Sequence, residues 1–94
     1  MDYWPEVLQV LPAQKYKVYI YFDDGTIRLY DASQIIKKGV FQPLQDEQKF
    51  AEACTVINGT LAWTLDLSYS DETCLDLDPF VLYENCPIVD DPLL

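Results

Sequence analysis

The stretch YKVYIYFDDGTIRLY, residues Tyr16–Tyr30, gives the clearest local signal of structure in this chain. Aromatic and β-branched residues alternate on both sides of Asp24-Gly25, and this dipeptide between two such runs is typical of a two-residue hairpin loop. With that loop, Phe22 lies opposite Ile27. The predicted hairpin then has one apolar face, which we expect to form part of the core.

The opposite face of the predicted hairpin carries Tyr19, Tyr21, Arg28 and Tyr30. Tyrosine and arginine are enriched at the energetic centres of protein interfaces. In this register Arg28 lies opposite Tyr21, which favours stacking of the guanidinium on the ring. We therefore expect this face to bind a partner protein or a second copy of the chain, or else to be covered by another part of the same chain.

A second hairpin is predicted around Asn58-Gly59, the strongest short sequence signal for a two-residue turn. The resulting pairing places apolar residues together on one face: Val56 with Leu61, and Cys54 with Trp63.

The rest of the chain predicts an edge strand and short helices. Residues 5–12 are apolar and bracketed by prolines, which are tolerated at a sheet edge. Helical turns are predicted over residues 32–38, 46–52 and 79–84, each with an aspartate at or just before its start that can cap the first turn. The predicted caps are Asp31, Asp46 and Asp78.

Together these elements predict an α+β fold: a small single domain of two antiparallel β-hairpins plus an edge strand, packed with two or three short helices. The domain is expected to span residues 1–86, with residues 87–94 as a C-terminal tail, because two prolines there prevent a continuing helix. The apolar faces predict a core that includes Val18, Ile20, Phe22, Ile27, Leu29, Phe41, Phe50, Val56, Leu61 and Trp63.

The charge distribution restricts the classes of partner. The net charge is −10, and residues 50–94 hold nine acidic and no basic side chains. Such a chain repels phosphate backbones and anionic lipid, so we expect no direct nucleic-acid or membrane binding. It suits either a basic protein partner or simply a solvated acidic surface.

Localisation is predicted from the first residues and the cysteines. Residues 1–5 lack the basic start and apolar run of a signal peptide. The three cysteines are an odd number without a Cys-x-x-Cys pair. We therefore expect a cytoplasmic protein with free thiols and no disulfides.

No catalytic constellation or cofactor motif is found. The chain has no histidine, which excludes Ser-His and Cys-His nucleophilic pairs. The densest group of carboxylates lies in residues 66–78, and its spacing does not match an EF-hand loop. This candidate acidic patch is interpreted either as a solvated loop or, alternatively, as the site of a divalent-metal-dependent enzyme or metal-binding domain: Asp66, Asp71, Glu72 and Asp76.

Several short motifs follow one another in order along residues 4–84. They are Trp4-Pro5-Glu6-Val7, Phe22-Asp23-Asp24-Gly25, Gly39-Val40-Phe41 with Pro43-Leu44, Gly59-Thr60-Leu61-Ala62-Trp63 and Leu75-Asp76-Leu77-Asp78-Pro79.

This ordered set resembles the bacterial domain-of-unknown-function 2442 family. The resemblance implies a small α+β domain with no assigned reaction, and genes that lie beside those of small toxin-like proteins. The predicted function is therefore a non-enzymatic protein-interaction module, in its most concrete form an antitoxin-like or regulatory partner of a small basic protein.

Overall fold

The computed structural model describes residues 4–64 and 74–93. Its strands are β1 (Val7–Ala13), β2 (Lys17–Phe22), β3 (Ile27–Asp31), β4 (Cys54–Ile57), β5 (Thr60–Thr64) and β6 (Cys74–Asp76). They form two three-stranded antiparallel sheets, ordered β1-β2-β3 and β4-β5-β6. The helices are α1 (Glu47–Ala53) and α2 (Pro79–Asn85), with 3₁₀ segments at Gln14–Tyr16, Ile35–Lys37 and Gly39–Gln45. The predicted α+β fold with an edge strand is confirmed.

The predicted register of the β2–β3 hairpin is wrong by one residue. The loop has three residues, because the Phe22 amide donates to the Thr26 carbonyl at 3.0 Å. Asp24 stabilises this longer loop, since its Oδ1 accepts hydrogen bonds from the backbone nitrogen (2.9 Å) and Oγ1 (2.7 Å) of Thr26. Gly25 closes it with a φ of +89°, the left-handed position of a three-residue hairpin loop.

This register decides which side chains of the first sheet face the core, because cross-strand partners share a face. The face toward the core carries Val18, Ile20 and Phe22 of β2, with Arg28 and Tyr30 of β3. The opposite face carries Tyr19 and Tyr21 of β2, with Ile27 and Leu29 of β3.

The β4–β5 hairpin has the predicted turn and register. Asn58 and Gly59 both have positive φ, +54° and +73°, as a two-residue loop of this type requires. The observed pairs include the two predicted ones: Cys54 with Trp63, and Val56 with Leu61.

Two of the three predicted helices form as expected. The Asp46 carboxylate accepts hydrogen bonds from the first amides of α1, and Asp78 does the same for α2. The third is shorter than the predicted 32–38, because the Asp31 carboxylate closes a local turn on the Ser33 amide at 2.9 Å and only Ile35–Lys37 is 3₁₀ helix.

One cluster of buried apolar side chains joins both sheets to both α-helices. Six of the predicted core residues are fully buried in it: Val18, Ile20, Phe22, Phe50, Leu61 and Trp63. Phe41 and Val56 are partly buried and pack against the cluster. The prediction that Ile27 and Leu29 lie in the core is wrong. The observed register turns both side chains to the other face of the sheet.

The predicted tail lies along the free edge of β3. The Leu29 amide donates to the Pro87 carbonyl at 3.0 Å, and the Val89 amide donates to the Ile27 carbonyl at 2.8 Å. Residues 87–89 therefore extend the first sheet by one short backbone pairing. In the part of the chain that the structure describes, no helix has both the length and the apolar character needed to cross a membrane.

Candidate protein interface

The four residues predicted to share one face are divided between two. Arg28 and Tyr30 lie on the core side of the first sheet, whereas Tyr19 and Tyr21 lie on the opposite side. The cause is the three-residue loop, which shifts β3 by one position and so reverses the direction of every β3 side chain relative to the prediction. The predicted composite face therefore does not form.

Arg28 holds the end of α2. Its Nη1 donates to the Tyr83 carbonyl at 2.8 Å and to the Cys86 carbonyl at 3.4 Å. The guanidinium lies 3.9 Å from the centroid of the Tyr83 ring, so the expected stacking on Tyr21 is wrong. A cation here satisfies carbonyls at the negative end of the helix dipole. Arg28 is a structural residue that connects β3 to α2.

The same connection continues to the hairpin loop. The Tyr83 hydroxyl donates to Oδ2 of Asp24 at 2.6 Å. Partial burial alone raises the pKa of Asp24, but hydrogen bonds from Thr26 and Tyr83 and the charge of Arg28 outweigh it, so this pKa lies below its ordinary value. Asp24 is therefore an anion that ties the β2–β3 loop to α2.

Tyr30 lies beside a cavity of about 340 Å³ at the end of β3. Burial, and then the proximity of Cys86 and Asp31, raise the pKa of its hydroxyl above the ordinary value. The cavity separates the end of β3 from α2, and its lining includes Leu29, Val81 and Asn85. Tyr30 and Cys86 also line this cavity, and Cys86 belongs to the core cluster while Tyr30 packs against it.

The face of the first sheet that points away from the core is the candidate interface. We define the outer face by its five apolar and aromatic residues: Leu11, Tyr19, Tyr21, Ile27 and Leu29. Leu11 joins the set because it pairs with Tyr19 across β1 and β2. All five are partly exposed, and none belongs to the core cluster or to the residues packed against it.

The helices of the described chain lie on the other side of the sheet. Phe50 of α1 and Leu82 of α2 are buried in the same cluster as Ile20. The ring of Tyr83 on α2 packs edge-on against the core-side Phe22, with centroids 5.1 Å apart. Within residues 4–64 and 74–93, these packing contacts leave the outer face without a covering helix.

Charged groups lie at the two ends of the outer face. Lys17 and Asp31 are cross-strand neighbours at one end. At the other end Asp91 accepts a hydrogen bond from the Tyr21 hydroxyl at 3.0 Å. Partial burial, and then the bond to Asp91 and its charge, raise the pKa of Tyr21, so this hydroxyl remains a donor at neutral pH.

The described thiols are suited to packing rather than to chemistry. Burial raises the pKa of Cys54 to about 12 and that of Cys86 to about 11. Both are free and remain protonated near neutral pH, where the thiol is a poor nucleophile.

The predicted acidic patch falls largely outside the described residues, since Asp66, Asp71 and Glu72 lie in the segment 65–73. Asp76 is described and is exposed on β6. Among the residues that the structure describes, no three Cys, Asp or Glu side chains come together as ligands for a metal ion.

Sequence reasoning missed the contribution of Leu11, Ile27 and Leu29 to the outer face. The available signal was the aspartate before the glycine in Asp23-Asp24-Gly25, because Asp-x-Thr favours a side-chain turn and a three-residue loop with glycine last. Asp-Gly is the stronger sequence pattern and predicts a two-residue loop, so the three-residue loop was not predicted.

The comparisons with known proteins agree with the sequence resemblance. The family model described as "Protein of unknown function (DUF2442)" matches residues 7–87, which confirms the resemblance. Neither the curated proteins nor the solved structures gave a significant match to this chain.

Proposed function

Because the chain belongs to the DUF2442 family, whose description assigns no activity, we propose a function from the geometry: a non-enzymatic module that binds another protein chain through the outer face. The observation that carries the proposal is the composition of that face. Antiparallel sheets with one solvated face normally alternate apolar and polar residues, with the polar residues toward water. Here the side of three strands that faces away from the core carries five partly exposed apolar and aromatic residues beside three polar ones: Leu11, Tyr19, Tyr21, Ile27 and Leu29, with Gln9, Lys17 and Asp31.

Two properties of this surface support protein binding. Its five apolar and aromatic residues are neighbours on three adjacent strands and each is partly exposed, and a contiguous apolar surface open to solvent is typical of an interaction site. Tyrosine in particular supplies a large contact area with little loss of conformational freedom. Tyr19 is the central candidate, because it lies in the middle of β2, between Leu11 on β1 and Leu29 on β3.

The test compares Tyr19→Ala with an exposed apolar residue outside the outer face. Val40, in the Gly39–Gln45 segment, is 65% exposed and serves as the control in Val40→Ala. The tagged variants are expressed in the native host, and the co-purifying protein is quantified by mass spectrometry. We expect Tyr19→Ala to reduce it about tenfold or more, as for an interface hot spot, with an almost unchanged melting temperature. Equal recovery with both variants would count against the outer face.

A second candidate function follows from charge. With a net charge of −10 and nine acidic but no basic side chains in residues 50–94, the chain is suited to a basic protein, as an antitoxin-like or regulatory partner. Such binding should weaken steeply as salt rises, because exposed charges are screened beyond about 8–10 Å at physiological ionic strength. Binding to a basic partner that is indifferent to salt contradicts this candidate.

A further inference from the structure

We propose that residues 87–93 form a strap that opens as a unit about Pro87 and uncovers the edge of β3 while the rest of the domain stays folded. The strap is the segment that follows α2 and lies along the side of β3 away from β2. The inference goes beyond the proposed function, because it concerns an edge of the first sheet and requires no partner.

The chain is firmly held as far as Cys86. Nη1 of Arg28 donates to the carbonyls of Tyr83 at 2.8 Å and Cys86 at 3.4 Å. The Cys86 amide donates to the Leu82 carbonyl at 3.1 Å, and its side chain is buried in the core cluster. The end of α2 therefore stays in place when the segment after it moves.

The strap itself is held by hydrogen bonds to the first sheet. The Leu29 amide donates to the Pro87 carbonyl at 3.0 Å, and the Val89 amide donates to the Ile27 carbonyl at 2.8 Å. Further along, the carboxylate of the strap's second aspartate, Asp91, accepts from the hydroxyl of a β2 tyrosine at 3.0 Å. In the part of the chain that the structure describes, these three bonds attach the strap to the sheet.

Little apolar surface is buried beneath the strap. Each residue from 87 to 93 is exposed or half-buried, and none belongs to the core cluster or to the residues packed against it. Ile88 and Leu93 are 61% and 65% exposed. Segments held by exposed hydrogen bonds with little apolar burial open at a small fraction of the free energy of global unfolding. The strap is therefore expected to open before the sheet or α2.

Pro87 is the weak point between the firmly held end of α2 and the strap. In an antiparallel ladder, the residue that accepts from the Leu29 amide would also donate its own amide to the Leu29 carbonyl. Proline has no N–H to donate. The pairing of Pro87 with Leu29 consequently consists of one bond in place of two, which makes this position the pivot of the opening.

Opening uncovers main-chain groups of β3. The Leu29 amide and the Ile27 carbonyl point away from β2, and both lose their partners when the strap leaves. A free strand edge of this kind pairs readily with an extended segment of another chain. The docked strap is already an extended segment on these groups, so it is an autoinhibitory contact that keeps the edge of β3 from such pairing.

The experiment is native-state hydrogen exchange of the full chain, followed for single amides by NMR at urea concentrations below the unfolding transition. We expect one common opening equilibrium for the Leu29 and Val89 amides. Their protection factors should be at least about tenfold lower than those of the Cys86 amide on α2 and the Ile20 amide in the central strand. They should also be independent of urea, because a local opening exposes little surface.

A conservative variant tests the third bond. Tyr21→Phe removes the hydroxyl that donates to Asp91. We expect it to lower the protection of Leu29 and Val89 together by about fivefold, as the loss of one hydrogen bond would, and to leave Cys86 and Ile20 unchanged. Tyr19→Phe, on the same strand and face, is the matched control and should alter none of these amides.

Three results would overturn the inference. Equal protection of all four amides, falling together as urea rises, would mean that the strap opens only when the domain unfolds. Rapid exchange at Val89 beside full protection at Leu29 would mean fraying from the chain end instead of opening as a unit. Unchanged exchange in Tyr21→Phe would mean that Asp91 does not hold the strap. None of these measurements involves a partner, so each result leaves the proposed function to its own test.

Discussion

At the scale of single residues, a methyl group added at Gly59 would strain the β4–β5 turn and crowd Glu6, which precedes β1. Its φ is +73°, and a Cβ there would lie 3.3 Å from Cγ of Glu6. We expect Gly59→Ala to lower the free energy of unfolding by about 1–2 kcal/mol or more, from strain and crowding together. Gly25→Ala is the comparison, because its φ is +89° but nothing lies within 4 Å of the added carbon. Urea unfolding that shows the larger loss for Gly25 would contradict this ranking.

Asp24 makes the stability depend on pH in a defined direction. Its pKa is lowered in the folded state, so its contribution is complete above the unfolded value near 3.8 and is lost as pH falls through the lower folded value. Asp24→Asn should therefore reduce the melting temperature near pH 5 and lessen its decline toward about pH 2.5. Glu84→Gln on the exposed surface of α2 is the control. Parallel pH profiles for wild type and Asp24→Asn would show that the carboxylate is not held by Tyr83 and Thr26.

At the scale of elements, the two hairpins show what local sequence determines. Asn58-Gly59 determined both the turn and the register, since two successive positive φ values suit that pair. Asp24-Gly25 did not, because the Asp24 carboxylate binds Thr26 and adds one residue to the loop. The candidate site depended on this register. Ile27 and Leu29 were therefore missed, although the two central tyrosines were identified. Leu11 was missed for another reason, since the sequence predicted an edge strand without its pairing partner.

The turn between β1 and β2 was not predictable for a different reason. Lys15 and Tyr16 both have positive φ, +60° and +61°, which long and bulky side chains rarely adopt. The Tyr16 hydroxyl donates to the Gln45 carbonyl, and its ring packs edge-on against Phe50. These tertiary contacts hold a conformation that residues 14–16 do not favour locally.

The connection between β3 and α2 makes a prediction about Arg28. Arg28→Ala removes the hydrogen bond to the Tyr83 carbonyl and the stacking on the Tyr83 ring, so we expect the free energy of unfolding to fall by about 1–3 kcal/mol. Lys38→Ala, at an exposed lysine, should change it little. Association measured at a temperature where both variants are folded should be unaffected. If Arg28→Ala reduced association without changing the free energy of unfolding, Arg28 would be an interface residue rather than a structural one.

At the scale of the whole molecule, the sequence predicted the fold class and the strand half of the core better than the helical half. Buried residues of the 3₁₀ segments and α2, such as Ile36, Leu44 and Leu82, were not predicted. Segments of three to seven residues are too short to show a helical period in the sequence. Packing against Trp63 and its neighbours, rather than local preference, determines where they lie.

The charge of the whole molecule predicts how a basic partner responds to salt. With a net charge of −10 on this chain, binding to such a partner should weaken as the ionic strength rises from about 20 mM to about 150 mM. The amount of protein that co-purifies at the two ionic strengths measures this, and recovery that salt does not change would contradict a basic partner.

Photo-crosslinking in the native host shows whether the outer face contacts another protein. The photoreactive p-benzoylphenylalanine replaces Tyr19 on the outer face, Tyr30 on the core side or Val40 on the exposed 3₁₀ segment. We expect intermolecular adducts from position 19, identified by mass spectrometry as a second copy or another protein, and none from positions 30 and 40. Adducts from position 30 or 40 with none from position 19 would contradict it.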